Sequence, residues 1–408
     1  MDGEARKEFW ASLALRHCKG LGARSRARLL NAFGSAYQAL RNGDKWRDAG
    51  LSQRQHSEIT SESWRSAAQE EWDRAKKLDD GILLWADEYY PKRLRELSDA
   101  PTLLYCRGDV SLLRSPAIAI VGSRQATKRG CEVGAHMARH LSACGIAIVS
   151  GMALGIDRAV HEAALRETGK SIGILGTGID KAYPGDNRAL FTRMAEEGLL
   201  VSEFPPGTQP LAAHFPVRNR VISGLSLGVL VIEAASRSGS LITARLALEQ
   251  NRDVFAVPGP ALDAHCTGCQ DLVRQGARPI FSPEDILRDL AEQLKTFNLN
   301  GANPPGGNFF LPSEDDEDAR IAPKTGKAGK RIHKSAPLSA NSQLSATPAA
   351  LSERERHLLE CLRKDGEMQS DSLTASLNFT AAELSPLLIS LEMAGLVKRL
   401  PGARYKAL

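Results

Sequence analysis

Short apolar runs alternate with longer amphipathic stretches through the middle of this 408-residue chain. Each apolar run has about five residues, the length of a typical strand, and each following stretch has helical spacing. The runs lie at 117–121, 146–150, 171–175, 199–203, 228–233 and 254–259. Buried strands that alternate with helices are typical of a parallel sheet covered on both faces. The pattern therefore predicts an α/β fold, with a Rossmann-like parallel-sheet core over residues 85–298.

The segments before and after this core have other patterns. Residues 1–84 have helical spacing interrupted at Gly20, Gly34 and Gly50, which predicts an N-terminal helical domain. Residues 299–350 combine proline, glycine and serine with an acidic run and a basic run. Such a composition buries too little apolar surface to order itself, so we interpret 299–350 as a flexible linker.

The last segment, 351–408, has the outline of a small winged helix. Its leucines form two stripes at helical spacing. These are Leu358, Leu359 and Leu362, then Leu384, Leu387, Leu388, Leu391 and Leu396. A helix is predicted at about 381–394, followed by a β-ribbon that turns at Pro401 and Gly402.

Composition narrows the protein class only slightly. The formal net charge of +5 permits a polyanionic partner without requiring one. The seven cysteines are scattered, and the N-terminus does not resemble a signal peptide. No run approaches the roughly 18 to 20 apolar residues that cross a bilayer. We therefore expect a cytoplasmic protein with free thiols and no membrane contact.

Candidate chemistry begins where the first central strand ends. In an open parallel sheet, ligands bind in the crevice at the carboxyl ends of the strands. Here Gly122, Ser123 and Arg124 follow the strand, and a helix is predicted to begin near Thr127. The first amides of a helix bind anions, and Arg124 and Lys128 would add positive charge. The alternative is an ordinary strand-to-helix turn with a solvent-facing arginine.

The second strand end contains Gly151 and Gly155, with Asp157 as the predicted N-cap of the next helix. His161 follows Asp157 by one helical turn, so the pair could act as a general base. We favour the other interpretation, in which Asp157 caps the helix and His161 is a packed histidine.

The third strand end, 176–188, resembles a dinucleotide fingerprint only loosely. It lacks the G-x-G-x-x-G spacing, which disfavours NAD or FAD. Gly178 would instead let a ligand approach the backbone at the same sheet edge. Lys181 and Arg188 would add positive charge there. Tyr183 offers a ring on which a base could stack.

The fourth strand end brings Phe215 next to Arg218, Asn219 and Arg220. Arginines beside an aromatic ring suit a nucleic acid strand, with guanidinium groups on phosphates and the ring under a base. The alternative is a helix start in which one arginine forms a buried structural ion pair.

The fifth strand end is the turn Ser238–Ser240, with Gly239 between the two serines. Its backbone amides and hydroxyls would form an anion-binding nest. One such turn is weak evidence, but five turns on one sheet edge together predict a phosphate-binding surface.

Several catalytic signatures are missing from the sequence. It has no Walker A lysine motif, no G-x-S-x-G elbow and no cluster with metal-ligand spacing. His265, Cys266 and Cys269 form at most half of a zinc site, since a second cysteine pair is lacking. We therefore predict no catalytic residue, no cofactor and no metal.

The motifs at the strand ends resemble those of the DprA/Smf family of bacterial DNA-processing proteins. The matching segments are 90–109, 122–124, 150–157, 176–184, 215–220, 238–244 and 257–260. The resemblance spans about 90–290 in register. It implies a non-enzymatic homodimer that binds and protects single-stranded DNA and helps to load RecA recombinase during natural transformation.

By motif position, the resemblance also implies which residues contact DNA. They are Gly122, Ser123, Arg124, Gly151, Lys181, Arg188, Arg218 and Arg220. One position departs from the family pattern, because Gln270 stands where relatives often carry histidine. The resemblance therefore carries no histidine role over to this position.

Both flanks resemble family appendages as well. Residues 18–30 resemble a helix-hairpin-helix, which would offer amides and arginines to a phosphate, although a structural helical cap fits equally well. The predicted helix at about 381–394 has no lysine or arginine. We therefore expect the winged helix to bind another protein or to have a regulatory role, and not to bind duplex DNA.

The rival hypothesis is an enzyme, a Rossmann-like nucleotide hydrolase of the lysine-decarboxylase-like class. That class would show a Pro-Gly-Gly-x-Gly-Thr run followed by glutamate. In this sequence no such run occurs, and Glu233 precedes the Ser-Gly-Ser turn.

Overall fold

The six predicted apolar runs form strands of a nine-stranded sheet in the computed structural model of the chain. The structure describes residues 3–78, 80–297, 353–377, 396–400 and 404–407, with the single positions 379, 384, 387, 388 and 391. The strands are β1 (Gly81–Leu84), β2 (Leu103–Gly108), β3 (Ala117–Gly122), β4 (Ala147–Ser150), β5 (Ser171–Leu175), β6 (Leu199–Ser202), β7 (Gly228–Ile232), β8 (Asp253–Ala256) and β9 (Arg278–Pro279). Their order is β1-β2-β6-β5-β4-β3-β7-β8-β9.

All neighbours from β6 to β9 in this order are parallel, which confirms the predicted α/β core. Two antiparallel strands extend one edge, and the apolar runs did not predict them. β2 pairs with β6, and β1 pairs with β2. A four-residue apolar run beside a helical segment cannot be assigned to a strand by periodicity alone. The sheet therefore begins inside the segment that we had assigned to the N-terminal domain.

Helices cover both faces of the sheet. In the first unit they are α1 (Gly3–His17), α2 (Ala23–Phe33), α3 (Ala36–Arg41), α4 (Gln53–Thr60), α5 (Arg65–Lys76), α6 (Lys92–Arg95), α7 (Lys128–Ala143), α8 (Ile156–Ala164), α9 (Arg188–Glu197), α10 (His214–Leu225), α11 (Ser240–Glu249), α12 (Thr267–Arg274), α13 (Pro283–Asp289) and α14 (Ala291–Lys295). None of the described helices is long and apolar enough to span a bilayer.

Alternate residues of β3 show how the two faces are filled, because neighbouring side chains of a strand point to opposite sides. Ile118 and Ile120 pack with α7 and α8. Ala119 and Val121 pack with α10 and α11 on the other side. Both sets are buried. The sheet thus forms a rigid middle layer, with its carboxyl ends open between the helices.

The N-terminal helices share an apolar cluster with the sheet. Leu15 of α1 and Leu30 of α2 belong to the same buried cluster as Leu104 of β2. The chain divides into two compact units, Met1–Thr325 and Gly326–Leu408. The helical character of the N-terminal segment is as expected, whereas the boundary at residue 84 stays a prediction.

The second unit has the predicted winged-helix elements. They are α15 (Glu353–Asp365), β10 (Met368–Gln369), α16 (Ser370–Leu377), β11 (Val397–Leu400) and β12 (Arg404–Ala407). β12 pairs with both β10 and β11, and this forms the predicted ribbon. Leu358, Leu362, Leu384 and Leu391 are buried, as the leucine stripes indicated. Most of the predicted helix at 381–394 and all of the predicted linker 299–350 lie outside the described residues.

Candidate nucleic-acid interface

A cleft of about 650 Å³ opens at the carboxyl ends of β3, β4 and β7. We call it the first cleft. Nine of the predicted site residues line it. They are Gly122, Ser123, Arg124, Phe215, Arg218, Asn219, Ser238, Gly239 and Ser240. A smaller cavity of about 120 Å³ adjoins it, shares Arg124 and Arg218 with it, and adds the predicted Gly151. All five strand-end turns thus reach this cleft, because the second also contributes Ala153 and Asp157 to its lining and the third contributes Tyr183.

Arg124 provides the exposed positive charge of the first cleft. Its guanidinium carbon lies 5.3 Å from the centre of the Phe215 ring. Among the residues that the structure describes, no carboxylate lies within ion-pairing distance of it. The backbone of the preceding Ser123 is fixed, since its amide donates to the Glu233 carbonyl (2.8 Å) and its carbonyl accepts from the Ile156 amide (3.2 Å). A rigid turn therefore presents a cation that is free to bind an anion.

Two aromatic rings form an apolar wall beside this cation. The rings of Tyr183 and Phe215 lie 5.6 Å apart at 35°. Tyr183 is 40% exposed, so its ring is accessible. Exposed rings next to an unpaired arginine can stack with a planar group while the guanidinium binds its phosphate.

Arg218 is buried at the floor of the first cleft. Its Nη1 donates to the carbonyl of Gly151 (2.7 Å) and to that of Ile174. Burial, opposed by Asp157 and assisted by the nearby Arg124, lowers the pKa of Arg218 to about 10. Arg218 therefore stays charged at neutral pH, and its charge adds to that of Arg124.

Gly151 separates Arg218 from Asp157. A Cβ at this position would lie 2.7 Å from Nη2 of Arg218 and 2.8 Å from Oδ2 of Asp157, so only glycine fits. Asp157 accepts from the amides of Gly151 (3.1 Å) and Ala153 (3.2 Å). Burial raises the pKa of Asp157, opposed by Arg218 and by these amides.

The predicted N-cap role of Asp157 is wrong. Gly155 is the N-cap of α8, and Asp157 lies inside its first turn. The reason is backbone geometry: Gly155 has φ of +74°, and a Cβ there would lie 2.2 Å from the Ser123 carbonyl oxygen. The chain therefore turns into α8 earlier than a side-chain cap at Asp157 would allow.

His161 is a packed histidine, as we favoured. Its Nδ1 lies 2.7 Å from the Ser171 hydroxyl, which donates its own proton to the Ile148 carbonyl (2.8 Å). Nδ1 must therefore donate to Ser171, which leaves Nε2 unprotonated. Burial lowers the pKa of His161 to about 3, with a further contribution from Arg218. The ring is neutral and does not face the first cleft.

Glu233 is a residue whose role the sequence analysis missed. It follows β7 with φ of +47° and is buried. Its carboxylate accepts from the amide (2.8 Å) and the hydroxyl (2.5 Å) of Thr127, the N-cap of α7. The helix start that we had assigned to a ligand phosphate thus already holds a carboxylate. The sequence did contain a signal for this role, because Glu233 directly follows β7 and the end of β7 lies beside the end of β3.

The remaining predicted site residues lie outside the first cleft. Lys128 is exposed at the start of α7, 3.9 Å from Glu132. Lys181 lies 3.3 Å from Asp180. The Gly178 amide donates to the Thr208 carbonyl (3.0 Å), within a loop. Arg188 is exposed at the start of α9.

Arg220 also lies outside, in the environment that we had described as the alternative. It is buried on the other side of α10 and forms ion pairs with Glu203 and with Asp99 (3.7 Å for the latter). Its charge is therefore already balanced by this chain.

The cysteine pair of the first unit lies in a short 3₁₀ helix and in α12. Cys266 and Cys269 are free and buried, and no group of potential metal ligands occurs in the described ranges. Gln270, at the position where histidine was expected, donates to the Pro260 carbonyl (2.7 Å).

Comparison with known proteins gives consistent matches. The family model described as DNA recombination-mediator protein A matches residues 81–291, and the DprA winged helix domain matches 342–403. DNA processing protein DprA of Streptococcus pneumoniae is 46% identical over 203 residues, which are 50% of this chain and 72% of that protein. Protein Smf of Synechocystis is 36% identical over 325 residues, 78% of each chain. The X-ray structure of the Streptococcus pneumoniae protein has a TM-score of 0.59 at 37% identity, over 68% of this chain and 95% of that one.

Proposed function

The chain belongs to the DprA/Smf family of DNA-processing proteins, and we propose that its first cleft binds single-stranded DNA. The observation that carries this proposal is the exposed Arg124, unpaired among the described residues, beside the accessible ring of Tyr183 and the ring of Phe215. Arg124 would bind a phosphate, and the two rings would stack with a base. A duplex hides its bases, so this arrangement favours a single strand.

The buried Arg218 supports the phosphate side of the proposal. It adds a second charge behind Arg124, and its two carbonyl acceptors hold it in place. The turn at Ser238 and Ser240, whose hydroxyls lie 2.7 Å apart, supplies further polar groups on the opposite wall. Together these groups give the first cleft a positive potential and little preference for one base over another.

We propose that the protein protects the bound strand and helps to load RecA recombinase onto it during natural transformation, as a homodimer in the cytoplasm. The description of the matched family model as a recombination mediator supports a role in recombination. Light scattering of the full chain would test dimerisation, and a monomer at micromolar concentration would contradict it. RecA filament formation on coated single strands, with and without the protein, would test loading.

We infer that the first cleft is not catalytic. Among the described residues that line it, Asp157 is the one carboxylate. Two backbone amides bind Asp157, which makes it a structural acceptor. The rival hydrolase predicts release of free base from a nucleoside monophosphate. Such release by the wild-type protein, lost in Asp157→Asn, would replace our inference with the enzyme hypothesis.

The direct test titrates labelled oligo-dT and a matched duplex with the full chain across a salt series. We expect tighter binding of the single strand. Each phosphate contact on a single strand adds about −0.7 to the slope of log affinity against log salt. Arg124→Ala should make the slope shallower by about that amount.

Arg129→Ala is the matched control for this experiment. Arg129 is exposed on the first turn of α7 and does not line the first cleft. Equal losses in both variants would indicate a diffuse electrostatic effect. Wild-type protein that binds neither DNA would refute the proposed function.

A further inference from the structure

A second cleft, of about 740 Å³, lies between the N-terminal helices and α10–α11. The end of α1 and the start of α2 contribute Arg16, His17 and Arg26 to it. Val217, Ile242 and Leu246 line the facing side. The helix-hairpin-helix-like segment 18–30 contributes Arg26 to this cleft, but the sequence did not show which distant segment would form the facing wall.

One of the arginines in the second cleft lacks a carboxylate partner in the described part of the chain. Arg16 pairs with Glu71 (2.5 Å), and Arg220 pairs with Glu203. Arg26 donates only to the carbonyl oxygens of Arg16 (3.1 Å) and Leu21 (3.3 Å). Arg26 is therefore held by neutral carbonyl oxygens, and no described carboxylate lies within ion-pairing distance of its guanidinium.

The environment of Arg26 makes an external anion favourable. Burial, together with the charges of Arg16 and Arg220 and against the opposing charges of Glu203 and Glu71, lowers the pKa of Arg26 to about 10, so the group is charged at neutral pH. The two carboxylates that line the cleft, Glu203 and Asp99, are both engaged by Arg220. Arg220 is only 7% exposed, and its Nη1 has no hydrogen-bond partner among the described residues. A phosphate at Arg26 would supply the charged acceptor that its carbonyl partners do not.

The opposite side of the second cleft is apolar and open to solvent. Val217 is 46% exposed and Ile242 is 41% exposed. The ring of Phe204, which also lines the cleft, stacks on His214 at 4.5 Å. An apolar wall that faces an unpaired guanidinium matches the two chemical halves of a nucleotide, its base and its phosphate.

The two clefts adjoin each other. Pro216 and Ile242 line both of them and form a low ridge between them. We propose that a single strand held in the first cleft continues over this ridge and places a further nucleotide in the second cleft, with a phosphate at Arg26. This inference rests on the proposed function of the first cleft. It gives the N-terminal helices a direct part in binding the strand.

The test compares oligo-dT of about 4 and about 12 nucleotides, both within the range of about 4–16 nucleotides that single-strand binding folds occupy. In Arg26→Gln of the full chain, we expect affinity for the longer strand to fall about fivefold or more. The salt slope for that strand should become shallower by about 0.7. Binding of the shorter strand should not change.

Val217→Asp is a second variant, because it places a negative charge at the exposed wall without touching the hydrogen bonds of Arg26. It should weaken binding of the longer strand in the same way. Arg28→Gln is the matched control, since Arg28 is exposed on α2 and lies outside the cleft. If both Arg26→Gln and Val217→Asp bind the longer strand like wild type, the inference is wrong. If wild type binds neither strand, the proposed function itself fails.

Discussion

Helix α10 presents arginines on two sides, and their surroundings differ sharply. Arg218 faces the first cleft and is held by the carbonyl groups of Gly151 and Ile174. Arg220 faces the second cleft and is held by the carboxylates of Glu203 and Asp99. Two residues correspond to about 200° around a helix, so the side chains point to nearly opposite sides.

The difference shows that an arginine adds positive charge to a cleft when carbonyl groups hold it, and adds little when carboxylates hold it. Carbonyl oxygens fix a guanidinium without cancelling its net charge, so Arg218 still contributes to the potential of the first cleft. Carboxylates cancel the charge of a guanidinium, so Arg220 stabilises the fold and adds little to the potential of its cleft. In the second cleft it is Arg26 that again has carbonyl partners.

The largest expected effect is a loss of stability in Arg218→Ala. The substitution leaves the carbonyl groups of Gly151 and Ile174 without this donor and removes the positive charge that opposes the effect of burial on the pKa of Asp157. Each buried polar group left without a partner costs about 1–3 kcal/mol. Urea unfolding followed by tryptophan fluorescence measures it, because all five tryptophans precede residue 86 and lie in the first unit.

Arg220→Ala sharpens this comparison. We expect a smaller loss, because Arg16 and Arg26 also act on Glu203, whose pKa is otherwise raised by burial. Short oligo-dT should bind the folded Arg220→Ala protein normally and the Arg218→Ala protein poorly. A larger loss of stability in Arg220→Ala would reverse the roles that we assign to the two sides.

The next effect concerns pH and the buried His161 below Arg218. Its folded-state pKa of about 3 lies below the ordinary value of 6.5, so only the unfolded chain takes up a proton between these values. Stability therefore falls as pH falls below about 6.5. One pH unit corresponds to about 1.4 kcal/mol, so this histidine should cost about 2 kcal/mol between pH 7 and pH 5.

His161→Asn removes the titrating ring and should reduce this slope. Unfolding free energies of wild type and variant, measured over the same pH range, give the comparison. An identical pH dependence in both proteins would show that groups other than His161 dominate the change of stability with pH.

A smaller effect is expected from the exposed ring of the first cleft. Tyr183→Ala should weaken oligo-dT binding by about 1 kcal/mol, roughly fivefold, since stacking on an aromatic side chain contributes at least this much. Stability should change little, because the ring is 40% exposed. Fluorescence anisotropy checks the affinity, and Tyr183→Phe should restore it. Failure of phenylalanine to restore binding would assign the effect to the hydroxyl and not to stacking.

The smallest effect is expected from Lys128→Ala. The side chain is 93% exposed and lies outside the first cleft. We expect stability within about 0.5 kcal/mol of wild type and an oligo-dT affinity that changes less than that of Arg124→Ala. A loss as large as that of Arg124→Ala would move the phosphate site toward the start of α7.

Much of the first unit could be predicted because its signals are local. A buried strand has a continuous apolar run, and β3 to β8 all coincide with such runs. The parallel topology then brings the carboxyl ends of the strands to one edge, which is why Gly122, Ser238 and Phe215 could be placed together in advance. The antiparallel β1 and β2 were missed because a short run beside a helix has no distinctive period.

The residues that decide charge in the site could not be predicted in the same way. Thr127 and the carboxylate that binds it, Glu233, are 106 positions apart in the chain. Arg220 and Glu203 are 17 apart and lie on different elements. No spacing rule connects such pairs, since their distance depends on how the helices pack against the sheet.

The sequence alone therefore determined the α/β architecture, the winged-helix elements and the set of turns that approach one sheet edge. Strand and helix periodicity and the placement of glycine are local properties, and sequence records them directly. Only the tertiary structure decided which arginines keep a free charge, that Glu233 occupies the start of α7, and that a second cleft adjoins the first. Ion pairing and cleft shape arise from contacts between distant segments, and these exist only after the chain has folded.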